Sequence, residues 1–248
     1  MNDRVLLKMV TGEPYQPARL YYSAPSEEFV TRILAQLQCM KEDSDRGCWT
    51  WLYIAEAATI TFGVPYCDLP AEAHPIAIGS FSFCDRDQMT LEVRSFERAI
   101  GAARFFGPIL GSRVVLRRLR VVNRWFEESE SSGGLESLDR LLEQNVTVVD
   151  QRSLEARLKE ALAKEKTRAD KRRVFQQFME ERRRRDVPLV EDFPLAPEED
   201  PDDFSYLKTM LLLRSLRNQE HWKGNTHLTF GDIVHRVVEH DVSGEEGN

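Results

Sequence analysis

Residues that could act chemically are few in this sequence, and their spacing decides against most chemistries. Four of the five histidines fall late, His221, His227, His235 and His240. Their separations of 6, 8 and 5 leave no pair one helical turn apart, as a helical zinc pair requires. The four cysteines, Cys39, Cys48, Cys67 and Cys84, stand 9, 19 and 17 residues apart. None forms a C-x-x-C pair, which removes zinc-ribbon and dithiol readings and leaves reduced, mostly buried thiols as the expectation. No G-x-G-x-x-G, G-x-x-x-x-G-K-[ST] or G-x-S-x-G string occurs among the 13 glycines, so phosphate cradles and nucleophile elbows are missing. The residues assign no catalytic group, metal site or cofactor.

The positive signals are basic and apolar. Arg113, Arg117, Arg118, Arg120 and Arg124 lie together, with Trp125 beside them. Lys164, Lys166, Arg168, Lys171, Arg172 and Arg173 continue towards the Arg182–Arg185 run. Guanidinium and ammonium groups neutralise phosphates and an indole stacks on a base, so nucleic-acid contact is one reading, resting on Arg113, Arg117, Arg118, Arg120, Arg124, Lys171, Arg172 and Arg173. An isoelectric point near 5.4 and interleaved acids favour the other reading, a solvated helix. Leu207, Met210, Leu211, Leu213 and Leu216, within the stretch 204–222, are apolar around much of a helix circumference. That breadth requires burial, and a protein partner or a second copy of the chain is the expected cover.

The string Arg217-Asn218-Gln219-Glu220-His221 resembles the Arg-polar…His core of the HEPN ribonucleases. The resemblance covers five residues and implies an all-helical fold in which Arg217 and His221 cleave RNA without metal. The Arg-to-His spacing here is one residue short, and no matching helical bundle is legible in the N-terminal two-thirds.

These residues must be positioned by elements of two textures. Residues 1–126 carry 15 basic and 14 acidic side chains, and residues 127–248 carry 19 and 27. The step in charge marks a candidate boundary. Arg4–Thr11 and Ala18–Ser23 read as strands, and Ser26 caps a helix over Glu27–Leu37. Cys48–Ile54 with Ala58–Val64, and Ile76–Cys84 with Met89–Arg94, read as hairpins, the second turning at residues 85–87. Ser95 caps a second helix, Phe96–Phe106. Residues 112–126 read as a strand in preference to a helix, because Val114, Val115, Val121 and Val122 are β-branched. The expected fold is α+β: a two-layer N-terminal domain of two ββα-type units with antiparallel strands, then a charged all-helical C-terminal region.

After 1–126 the sequence divides into a flexible linker (127–134), a long charged helical region (135–185), an acidic Pro-rich connector (186–203), a C-terminal helical pair (204–240) and a tail (241–248). Within 135–185, a short helix, Leu135–Glu143, and an extended Val146–Val149 precede one helix from Arg152 to Arg185. The connector is expected to lie as an acidic strap along the basic helix. Charges interrupt the first eight residues where a secretory signal needs an apolar core, and no run approaches the ~20 apolar residues of a membrane span. The expectation is a cytoplasmic, non-enzymatic interaction or assembly factor using its C-terminal helices. The alternatives are a nucleic-acid-associated protein and, further off, a HEPN-like ribonuclease.

Overall fold

The computed structural model describes residues 4–85, 88–132, 137–149, 151–184, 187–195 and 203–245. The strands are β1 (Ala18–Ser23), β2 (Met40–Asp43), β3 (Cys48–Leu52), β4 (Ala77–Asp85), β5 (Gln88–Val93), β6 (Val115–Val122), β7 (Val146–Val148) and β8 (Val190–Pro194). The helices are α1 (Glu27–Leu34), α2 (Phe96–Leu110), α3 (Glu128–Ser132), α4 (Leu138–Glu143), α5 (Gln151–Ala163), α6 (Arg168–Arg184), α7 (Asp203–Trp222) and α8 (Phe230–Glu245). Among the described residues, these eight strands form one sheet in the order β2-β3-β4-β5-β1-β6-β8-β7. Neighbours are antiparallel except β7 and β8, which run parallel.

The period-2 alternation of the central strands sets the layers. Ala18, Leu20 and Tyr22 of β1 point to one face, with Val93, Leu91 and Met89 opposite them on β5 and Leu119 and Val121 on β6. All are buried, and α1, α2 and α7 supply Leu34, Phe106 and Leu211 to the same core. Both helix starts read from sequence hold: Ser26 Oγ accepts from Phe29 N at 3.2 Å and Ser95 Oγ from Arg98 N at 3.1 Å. On α2, Arg98 is wholly buried, giving Nε–H to Glu13 at 2.6 Å and Nη2–H to Thr11 at 2.8 Å. This pair fastens the N-terminal segment to the helix, and desolvation draws the Arg98 guanidinium pKa below its ordinary value.

The opposite face is polar along its middle. Glu92, Arg19, Arg120 and Asp192 stand side by side on β5, β1, β6 and β8. Arg19 pairs with Glu92 and with Asp139 of α4, and Arg120 with Asp192. Each guanidinium has a carboxylate on a neighbouring strand, so the two arginines are held side by side. Beyond this rung, Leu141 and Leu142 of α4 close a small core with Tyr15, Val122, Phe126 and Val190.

Several expectations are corrected. Arg4–Thr11 makes only isolated bridges, Leu6 to Glu127 and Lys8 to Pro14. Cys48–Leu52 pairs with β2 and β4, and Ala58–Val64 forms no hairpin with it, because Ala55–Thr59 closes into a 3-10 turn. The repeat of two ββα units is therefore not matched: the first lacks its leading strand, whereas β4, β5 and α2 follow one another where the second was expected. The hairpin of β4 and β5 stands; residues 86 and 87 of its turn lie outside the described residues. Residues 112–126 do supply a strand, β6.

The C-terminal half is not all-helical. Residues 186–203 were expected as an acidic strap along the basic helix, but β8 lies between β6 and β7 with Val190, Glu191, Asp192 and Phe193 buried; residues 186 and 196–202 lie outside the described residues. Arginines on both faces neutralise its acids, which is why so acidic a strand is accommodated. Side chains of the Arg182–Arg185 run lie outside the described residues. The long helix is broken between α5 and α6, where Thr167 Oγ1 accepts from Asp170 N at 3.1 Å and starts a new helix. Part of the expected linker is helical as α3. Two of the thiols, Cys39 and Cys48, are buried, whereas Cys67 and Cys84 are exposed.

Candidate functional site

The arginines of β6 are largely committed to the fold. Arg120 gives two N–H bonds to Asp192 Oδ2, at 3.0 and 2.8 Å. Arg118 approaches the same oxygen at 3.3 Å and stacks over Tyr21 at 3.7 Å. Arg113 lies over Phe29 at 4.6 Å and Arg117 donates to Ser23 at 3.1 Å, both exposed. Arg124 pairs with Glu130 at 2.8 Å. On α6, Lys171, Arg172 and Arg173 are exposed, with Arg173 3.3 Å from Asp170. The two basic sets occupy different elements, and two of the β6 arginines converge on Asp192.

The apolar residues of α7 are covered from within the chain. Leu207 and Leu211 belong to the main core and Met210 packs against it. Leu213 and Leu216 join Leu228 and Ile233 in a cluster between α7 and α8. The breadth of apolar surface on this helix arises because it contacts α2 on one side and α8 on another. Among the described side chains of α7, Leu212 is the large apolar residue that stands out, 53% exposed.

An open apolar surface does exist, on other residues. A groove of about 1110 Å³ runs between β7, α5, α6 and α8. Val148, Leu154, Phe175, Met179, Phe230 and Val234 supply its apolar wall. Val148, Phe175 and Met179 are 62%, 45% and 47% exposed. β7 is the last strand of the sheet, so its outer edge meets no other strand among the described residues. Phe175 and Met179 are one turn apart on α6. Their joining to Val148, some 30 positions earlier, was not legible, because it depends on how α5 and α6 fold back.

A second, smaller pocket of about 130 Å³ lies where the N-terminal arm, the end of β6 and the end of α7 meet. Arg217 and His221, the pair singled out in sequence, both line it, together with Arg4, Asn123, Arg124 and Asn218. Trp125 and Trp222 complete its wall, their rings 6.4 Å apart. A ring nitrogen of His221, Nε2, lies 2.8 Å from the Leu228 carbonyl oxygen, which only accepts, so Nε2 carries the proton. Arg4 was not legible as a member of this pocket, since nothing local marks a lone arginine more than 200 positions from Arg217.

Among the described residues, no group of three or more His, Cys, Asp or Glu could hold a metal ion. Burial, with Glu56 close by, pushes the Cys39 thiol pKa up to about 12, so this cysteine stays protonated at neutral pH. Among the described residues, no helix is long and apolar enough to cross a membrane. No family model, curated protein or solved structure matches the chain. The helix bearing Arg217 and His221 packs on an eight-stranded sheet, in contrast to the all-helical fold that the HEPN resemblance implies.

Proposed function

We propose that this protein is a non-enzymatic interaction module that takes an extended segment of a protein partner into the groove beside β7. The observation that carries the reading is the convergence of Val148 of β7 with Phe175 and Met179 of α6, three large apolar side chains left about half-exposed around one groove. Exposed apolar residues standing singly are ordinary, but a shared concave wall is the form that recognition surfaces take. The volume exceeds what one small ligand fills, commonly about 300–1,000 Å³, and suits several consecutive side chains. The edge of β7 offers backbone N–H and C=O groups for an added strand, which gives affinity without fixing sequence. Alternate side chains of that strand would then face the apolar wall.

This keeps the C-terminal helices as the interaction region and moves the contact from α7 to α6 and β7. The test is selection of linear peptides from a random display library against the full chain and its Phe175→Asp/Met179→Asp variant. Selected peptides should alternate apolar residues, bind the variant at least roughly tenfold more weakly, a change of about 1.4 kcal/mol, and slow amide hydrogen exchange at residues 146–148. Peptides that bind both proteins equally, or that leave exchange at 146–148 unchanged, would overturn the reading.

A further inference from the structure

The small pocket at the end of α7 has a composition that the peptide groove does not explain, and no residue lines both. Its polar groups are mostly donors. Asn218 is 3% exposed, and its Nδ2 has no hydrogen-bond partner among the described residues. The same holds for the indole Nε1 of Trp125. A buried donor left without an acceptor costs about 1–3 kcal/mol, so two in one small pocket call for a ligand that accepts. Around them stand the guanidinium groups of Arg4, Arg124 and Arg217, which carry donors and no acceptor; Arg217 Nη1 gives one N–H to Asn218 Oδ1 at 3.5 Å.

Two acids pair with the pocket arginines. Glu127 takes the Nε–H of Arg4 at 2.5 Å and Glu130 an Nη2–H of Arg124 at 2.8 Å. These pairs orient the two forks without exhausting their donors. Arg4 is further held by stacking over Trp222, 4.5 Å from the ring centre. Asn123 Oδ1 is a carbonyl acceptor in the pocket: the side chain is 4% exposed and spends its Nδ2 on Pro188 O at 2.9 Å and Glu191 at 2.7 Å. Its Oδ1 has no partner among the described residues.

We infer that this pocket binds a phosphate group, its oxygens held by Trp125, Asn218 and the arginine forks and its proton given to Asn123 Oδ1. A cluster of donors with fixed guanidinium planes is the arrangement that recognises a tetrahedral oxyanion through charge-assisted hydrogen bonds. The volume of about 130 Å³ admits a phosphate and excludes a whole nucleotide. The carbonyl acceptor separates phosphate, which keeps a proton at neutral pH, from sulfate, which has none to give. The pocket therefore discriminates between ions of the same shape.

Isothermal titration of the full chain at constant ionic strength tests this, with inorganic phosphate, methyl phosphate and sulfate as probes. Inorganic phosphate should bind saturably and raise the thermal midpoint, with sulfate about tenfold weaker or worse. Methyl phosphate, mostly a proton-free dianion at about pH 7.5, should bind about as weakly as sulfate, which assigns the site to the free ion; binding comparable to inorganic phosphate would overturn the role given to Asn123 Oδ1. Arg4→Gln and Arg124→Gln alter side chains at the pocket mouth, and each should weaken phosphate binding by roughly tenfold or more, as loss of a charged hydrogen bond does. Trp125→Phe should weaken it while keeping the ring. Arg113→Gln, which removes the same charge elsewhere, should leave it unchanged. No saturable phosphate binding, equal affinity for sulfate, or equal losses in Arg113→Gln and Arg124→Gln would overturn the assignment.

Discussion

Arg214 of α7 and Glu191 of β8 meet in the interior, both side chains less than 5% exposed, with Arg214 Nη2 donating to Glu191 Oε1 at 2.9 Å and Nε donating to Oε2. The guanidinium also stacks on Phe193 and Phe230, at 4.6 and 4.8 Å. One residue along β8, Asp192 points to the other face and meets Arg120. The strand is thus held through opposite charges on both sides of the sheet.

Removing one member of the interior pair leaves the other charge buried without its counter-ion, which costs about 3–5 kcal/mol. Glu191→Gln and Arg214→Met should each lower the thermal midpoint on the order of 10 °C. The double variant should recover most of the loss, since both charges are then gone. Equal midpoints for the single variants and the wild type, by calorimetry, would show that the pair carries no such weight.

The cover of α7 separates neighbouring leucines. Leu211 is fully buried in the main core and Leu212 is half-exposed. Leu211→Asp places a charge in an apolar interior and should prevent cooperative folding, whereas Leu212→Asp should stay within about 0.5 kcal/mol of the wild type. Denaturant melts of the two variants decide it; equal effects would mean that α7 is not seated in the core.

A chain cut at residue 130 loses β8, and with it the strand paired to β6, together with Phe193, Leu207 and Leu211 of the main core. The fragment 1–130 should therefore be insoluble or melt without cooperativity. A sharp thermal transition would show instead that residues 1–126 suffice for a core.

Acid should act partly through Glu56. Burial works against its charged form, but the backbone N–H groups of Gln38 and Cys39, at 3.1 and 3.0 Å, outweigh it and hold the carboxyl below its ordinary value of 4.5. Because the folded value is the lower one, the stabilisation is complete above the ordinary value and disappears as pH falls through the folded one. Glu56→Gln should therefore lower the denaturation midpoint at pH 7 and converge with the wild type in acid. Parallel curves across that range would place the effect elsewhere.

The sequence by itself determined what short-range chemistry controls. Ser26 and Ser95 start their helices because a serine oxygen satisfies a backbone N–H three residues on, and that needs no distant partner. The reciprocal bonds of Thr229 and Asp232 at the start of α8 are equally local. Thr167 and Asp170 form a similar local cap, and the broken helix could have been read from it. Alternation was also sufficient for β1, where one face is wholly apolar. What only the tertiary structure decided is where charge and breadth are compensated. Val190-Glu191-Asp192-Phe193-Pro194 has two acids and a proline, which locally disfavour a strand; Arg214 and Arg120, from distant elements, make it one. The leucines of α7 demanded a cover, and pattern alone could not say whether it came from α2 and α8 or from another molecule. Nor could it bring Arg4 to Arg217, since a pocket between chain ends is made by long-range packing, on which local spacing has no hold.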